Sequence, residues 1–373
     1  MPKNGVIISA LAASLAAGAF CFAATAADLT PKPQPTTTAE PTPAGPTTAA
    51  PYNPPRYFNP YTPRRDNPTN PPGTWEVYPS PTANNLYCVD FVDPNNGWAV
   101  GAGVALRYRN GTWVEIPGHG AHGFSDIDML SLTDGWAVGW DGNKLQPAIW
   151  RWNGSDWLEF QNPTGAVECI DMIDSNRGWI GGTNYFLSFT GSQWVWAGSA
   201  PSTMMGIDMF SGDVGWAVGY LYIMRRTSSG WVIDSNNNWV LGGVRMINVN
   251  KGYASGYDRG TDKGAIIRYD GNWNIGKIFT NTETIGGLDI YGSDFGWCVG
   301  RKTTTPPYGG FIAFFDGVGW NEVSCPTNNA LAGVKIIDRD NAWTVGYYGT
   351  ILKYKPNVAV KETSLGKIRA VFR

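Results

Sequence analysis

The sequence is poor in charge. Lys, Arg, Asp and Glu make up 16% of its 373 residues, and 28 basic against 30 acidic side chains leave a net charge of −2. A protein that binds nucleic acid non-specifically needs a surplus of Lys and Arg to release counterions, so that role is excluded. Histidine is nearly missing, with two residues, which leaves little room for imidazole chemistry or a His-rich metal centre. No phosphate loop, dinucleotide fingerprint, His-Glu-x-x-His or Gly-x-Ser-x-Gly occurs, so we expect no cofactor and no metal. In excess are glycine (47), proline (26) and tryptophan (18). Turn formers and aromatics with little charge mark a turn-rich all-β protein.

The ends differ from the middle. Residues 1–26 read as an export signal: Lys3 supplies a positive start, 6–24 is uncharged and mostly apolar, and Ala24-Thr25-Ala26 is an A-x-A cleavage site. Left uncleaved, the same run is long enough to span a bilayer, which is the membrane contact the sequence offers. Residues 27–73 are a Pro/Thr-rich linker, expected to be extended and disordered because proline removes ladder donors. Residues 357–373 form a short basic tail carrying Lys361, Lys367, Arg369 and Arg373. These features predict export to the cell surface, the medium or the periplasm.

Internal repeats decide the fold. Gly97-Trp98-Ala99-Val100-Gly101 recurs at Gly135, Gly178, Gly215, Gly252, Gly296 and Ala342, with Tyr253 replacing tryptophan in one copy. Seven residues before each copy stands Asp90, Asp128, Asp171, Asp208, Arg245, Asp289 or Lys335. Apolar residues flank each of these, as Val89 and Phe91 flank Asp90, and alternation with period two marks a strand. A polar turn, the Gly-Trp strand and a third strand (104–108, 265–269 or 311–315) follow. Asn110-Gly111 or Asp270-Gly271 then precedes a second tryptophan, and such pairs favour hairpin turns that need positive φ. Each repeat is therefore a four-stranded meander.

Six repeats are complete, and the seventh stops after three strands near Lys355; the missing strand is Gly73-Thr74-Trp75-Glu76-Val77-Tyr78 at the front. Residues 74–356 number 283, about 40 per repeat. That is the size of a propeller blade. The expectation is an all-β, seven-bladed β-propeller with four-stranded blades, the last closed by the N-terminal strand, acting as a monomer. Thirteen of the 18 tryptophans fill the two repeated positions and should stack between blades. Trp140, Trp150, Trp152, Trp196 and Trp239 fall outside the pattern.

This unit resembles the secreted propellers related to photosystem II stability/assembly factors, and more distantly the BNR/Asp-box repeats of sialidase-like proteins. The resemblance spans 74–356 and implies the fold; the characterised assembly factors bind protein partners, which implies a binding scaffold. The third-to-fourth-strand hairpin keeps Asp/Asn-Gly and Trp but lacks the full Ser-x-Asp-x-Gly-x-x-Trp box, while Ser211-Gly212-Asp213-Val214-Gly215-Trp216 places a similar string before a second strand. A sialidase's arginine cluster and tyrosine-glutamate pair cannot be assembled by motif. Arg225, Arg226 and Arg245 are candidates for anion contacts only.

Two sets of residues are candidates for function. The carboxylates Asp90, Asp128, Asp171, Asp208 and Asp289 either form a channel ring for a cation or basic segment, or accept hydrogen bonds from a neighbouring blade; recurrence favours the structural role. Extra length at 140–146, 257–264 and 301–310 falls between second and third strands, so these insertions should emerge on one rim. We take that rim as the binding surface: Trp140, Asp141, Lys144, Tyr257, Asp258, Arg259, Asp262, Arg301, Lys302 and Tyr308. His119 and His122 lie in a Gly-rich stretch read as a solvated loop, and Cys298 with Cys325 is the better disulfide pair. The expected function is non-catalytic binding of a protein or glycan partner. The alternative, a glycan-active hydrolase or lyase, requires two non-repeated carboxylates within ~5–10 Å at the channel mouth.

Overall fold

The computed structural model describes residues 73–302 and 309–357. The export signal, almost all of the linker and tail, and Tyr308 lie outside the described residues. The strands Leu86–Asp93, Asn96–Gly101, Val104–Arg109 and Thr112–Glu115 form a four-stranded antiparallel meander in chain order. The turn between its last two strands has Asn110 at φ 51° and Gly111 at φ 78°, the positive angles that an Asn-Gly pair adopts most readily. The same meander recurs from His122–Met129 to Trp157–Gln161 and from Thr282–Ile290 to Trp320–Val323.

Between Val167 and Phe279 the meanders are joined. The outer strand of one repeat runs straight into the inner strand of the next through Trp194–Ser211 and Gly230–Asn248, which gives one sheet of eight long elements. Among the remaining strands, Leu331–Ile336, Ala342–Gly346 and Ile351–Pro356 are completed by Gly73–Val77. That first strand pairs antiparallel with the last, Gly73 opposite Pro356 and Val77 opposite Leu352.

Aromatic contacts join neighbouring repeats. Trp98 meets Trp152, Trp136 meets Trp194, Tyr253 meets Trp320 and Trp297 meets Trp75, all edge-to-face at 5.2–5.8 Å between centroids. Trp343 of the last repeat meets Trp113 of the first in the same way and lies stacked on Phe91. The sequence predicted stacking; the dominant geometry is instead T-shaped, which aims the positive ring edge at the neighbour's negative face. Trp136 is fully buried against Phe160, Phe189 and Trp194. Trp136→Ala should therefore lose about 3–5 kcal/mol in urea unfolding, the range for deleting a buried indole. Trp196→Ala, at a side chain 67% exposed, should stay within about 0.5 kcal/mol of the parent.

All four cysteines of this region, Cys88, Cys169, Cys298 and Cys325, are free thiols. The pairing expected for Cys298 and Cys325 is thus not made: Cys298 is buried within its sheet, and the Cys325 thiol points to the Thr327 carbonyl at 3.6 Å.

Candidate functional site

The inner strands of all the repeats line one cavity of about 2080 Å³. Asp90, Asp128, Asp171 and Asp289 stand on its wall, Asp208 is buried behind it, and each of the five is engaged by the next repeat. Asp90 Oδ2 accepts the Met129 N–H at 2.7 Å, Asp128 Oδ2 the Met172 N–H at 2.6 Å, and Asp171 Oδ2 the Met209 N–H at 2.6 Å. Asp208 Oδ2 accepts from Met246 N and Asp289 Oδ2 from Ile336 N, both at 2.7 Å. The two cations reverse the polarity of the clamp. Arg245 donates to Asp208 at 3.0 Å and to Asp289 at 2.8 Å, and Lys335 lies 2.7 Å from Asp90. These groups stitch repeats together and are not a free cation ring. Burial, with Asp128 and Asp208 nearby, pushes the Asp171 carboxyl well above its usual range.

One end of the cavity carries the second-to-third-strand connections. Of the rim residues chosen from the sequence, Trp140, Tyr257, Asp262 and Arg301 line this end. Trp140 is 45% exposed. The Tyr257 hydroxyl donates to Asp262, which raises the phenol pKa to about 12, and Arg301 pairs with Glu283. The other chosen residues serve their own loops. Asp141 is buried and accepts from the Asn143 and Lys144 N–H groups; Asp258 is buried and accepts from the Thr261 N–H and hydroxyl. Lys144 and Lys302 pair with Glu159 and Glu322, and Arg259 sits over the Tyr220 ring.

The first half of each inner strand holds a feature that periodicity hides. Its pairing with the second strand slips by one residue between Leu86 and Cys88, Phe124 and Asp126, Val167 and Cys169, and Met204 and Gly206. The slip recurs between Leu241 and Gly243, Ile285 and Gly287, and Leu331 and Gly333. A bulge leaves one residue outside the ladder and re-aims its side chain. The bulged residues are Tyr87, Ser125, Glu168, Met205, Gly242, Gly286 and Ala332, and all of them line the cavity. Glu168 is the charged member. Burial raises its carboxyl to about 7, and among the described residues no hydrogen bond or ion pair engages it. The sequence reading missed it, although alignment of the repeats three residues before each Asp would have shown one charge among neutral residues.

Nearby, Asp126 also lines the cavity but is occupied. Its oxygens accept from the Cys88 thiol at 3.0 Å, from Ile127 N at 2.9 Å and from Ile170 N at 3.0 Å, and burial raises it to about 6. His119 and His122, read as a solvated loop, are instead packed: His119 is 5% exposed, with one ring nitrogen 2.9 Å from His122 and the other 2.9 Å from Asp156. Burial and His119 hold the His122 pKa below its ordinary value. Among the described residues no group of three or more His, Cys, Asp or Glu could hold a metal ion. Arg225 pairs with Asp234 and Arg226 with Asp213, so neither is a ready anion contact. Of the irregular tryptophans, Trp150 and Trp152 are core, Trp239 is half-buried, and Trp140 and Trp196 are exposed.

Neither a protein-family profile nor a curated protein sequence matches the chain. Solved structures do. YCF48 bound to a D1 peptide superposes with a TM-score of 0.60 at 16% identity, over 78% of this chain and 97% of that one. YCF48 from Cyanidioschyzon merolae gives 0.59 at 15%, covering 75% and 98%, and a streptogramin B lyase gives 0.58 at 14%, covering 76% and 98%. The fold is a β-propeller similar to these proteins. A fold shared by a lyase and a peptide-bound protein does not itself choose an activity.

Proposed function

We propose that this chain is an exported, seven-bladed propeller, closed into a ring, that binds a protein partner at the insertion-bearing mouth of its central cavity. Closure is supported by the contacts of last repeat with first: Lys335 with Asp90, and Trp343 with Phe91 and Trp113. The observation that carries the binding reading is the cavity end itself, where exposed Trp140 and half-buried Tyr257 meet a large concave space; pockets that join aromatic walls to a few polar groups are the usual binding sites. The YCF48 structure holds a peptide, which makes a protein segment a better-supported partner than a glycan.

Chain direction fits this use. Ile351 begins its strand opposite Val345, at the insertion-bearing end, and Pro356 ends it at the other end beside Gly73. Residue 73 therefore lies at the face opposite the mouth. The hydrolase or lyase reading gains no support from Glu168 and Asp126. Asp126 is already taken up by three donors, the Cys88 thiol and the Ile127 and Ile170 N–H groups, which leaves the acid–base pair that this reading requires less well supported than the binding surface.

A photo-reactive residue at Trp140 or Tyr257 should crosslink a partner in the producing cell's envelope, and one at Trp196 on the outer edge should not. Adducts at Trp196 with none at the mouth would reject the assignment.

A further inference from the structure

We propose that the bulged residues form the recognition ring of the cavity, and that Glu168 in it holds a single organic cation, the ammonium of a lysine side chain on the protein partner. The inference deepens the mouth-binding reading and rests on it. It starts from an asymmetry. Each repeat devotes one residue to a bulge facing the lumen, and the fold needs no charge there: the other repeats put Tyr87, Ser125, Met205, Ala332 or glycine in that place. A carboxylate at this depth is held against desolvation.

Everything else of like charge nearby has been matched. The repeated Asp residues are clamped, Asp126 has its three donors, and Glu283 has Arg301. Among the described cavity-lining carboxylates that are not exposed, Glu168 alone lacks a protein partner. Burial raises the Tyr185 phenol and nearby Glu168 adds to it, yet the hydroxyl donates to the Gly165 carbonyl, so it leaves the carboxylate unserved. An unmatched, half-buried carboxylate on the lumen wall is stabilised by an incoming cation.

The surroundings suit an organic cation better than a metal ion. One carboxylate with no neighbouring ligand set cannot satisfy Ca²⁺ or Mg²⁺, which take six or more oxygens. Trp140 and Tyr257 stand at the entrance, and aromatic faces attract ammonium groups. Across the ring the bulges are Gly242, Gly286 and Ala332, which leaves a wall of backbone that a peptide can approach. At Gly242 a methyl group would meet only the Gly286 carbonyl at 3.6 Å, so packing does not demand glycine there. The other charged groups lining the lumen toward this end are Asp126, Asp262, Lys263 and the Arg301–Glu283 pair.

The test uses the full chain with ¹³C-labelled glutamate carboxyls and three probes: acetyl-Gly-Lys-Gly-amide, the same peptide with norleucine for lysine, and butylammonium. The lysyl peptide should bind at pH 8, at least tenfold more weakly at pH 5, and at least tenfold more weakly to Glu168→Gln. It should also move the titration midpoint of Glu168 at least tenfold toward higher proton concentration. Equal binding of the lysyl and norleucyl peptides, an unaffected Gln variant, or an unmoved Glu168 resonance would overturn the proposal. Butylammonium binding as tightly as the lysyl peptide would overturn the protein-borne source in favour of a free amine. Mouth crosslinks without lysyl preference sink the cation assignment alone; lysyl preference without mouth crosslinks upholds the site and sinks the partner reading.

Discussion

Arg245→Asp, which installs the residue that five other repeats carry at this position, should destabilise the protein by at least about 3–5 kcal/mol at pH 7.5, the range for removing one partner of a buried ion pair. Arg245 lies between Asp208 and Asp289, whose side chains are 2% and 5% exposed, and donates to both. Removing the guanidinium leaves two buried carboxylates facing each other, and the new aspartate adds a third. Arg245→Met removes the cation without adding an anion and should lose less. Both deficits should shrink as pH falls, because carboxylates crowded without a cation bind protons more readily in the folded state than in the unfolded one. Urea unfolding at pH 7.5 and pH 5 separates these cases. An Arg245→Asp protein as stable as the parent at pH 7.5 would mean that the repeated position is interchangeable and the clamp account is wrong.

Arg245 also divides what the sequence reveals from what it hides. The spacing from Asp90 to Gly97, repeated through Lys335 and Ala342, is legible because a strand, a tight turn and a second strand leave no freedom in length. It identified the four-stranded repeat and the strand that completes the last one, Gly73–Val77. It also exposed Arg245 and Lys335 as departures, but not their meaning, since a cation replaces an aspartate there by reaching to the aspartate of an adjoining repeat. Period-two alternation assumes an unbroken ladder. The slip between Val167 and Cys169 breaks it at Glu168, so the residue that faces the lumen reads as part of an ordinary strand. Conversely Asp141 and Asp258 look like rim ligands in a loop, but short loops need internal acceptors for their N–H groups, and both carboxylates are used for that.

The same buried carboxyls set the pH profile of the fold. Burial raises Glu168 from 4.5 to about 7 and Asp126 from 3.8 to about 6, and it raises Asp171 as well. Between about pH 4 and pH 7 the folded state therefore holds protons that the unfolded chain has released. Stability changes with pH as the protons bound by the unfolded state minus those bound by the native state, which is negative here, so stability falls as pH rises through this window. Between pH 5 and pH 8 Glu168 should contribute a difference of about 2.5 kcal/mol and Asp126 about 1.4 kcal/mol, because each tenfold change in proton affinity is worth about 1.4 kcal/mol and Asp126 is already within one pH unit of its midpoint at pH 5. His122 works the other way: its lowered pKa favours the fold above its ordinary value of 6.5 and offsets part of the trend as pH falls. Asp174 and Glu322, held low by Arg177 and Lys302, lose their contribution only below about pH 4.5. Chemical unfolding should therefore give a maximum near pH 5. Glu168→Gln should be more stable than the parent at pH 8, close to it at pH 5, and flatter between. A lysyl peptide that neutralises Glu168 should stabilise the parent at pH 8 and have little effect on the Gln variant. A stability that rises from pH 5 to pH 8, with the variant parallel to the parent, would show that Glu168 is solvated and that the lumen imposes no charge penalty for a partner to relieve.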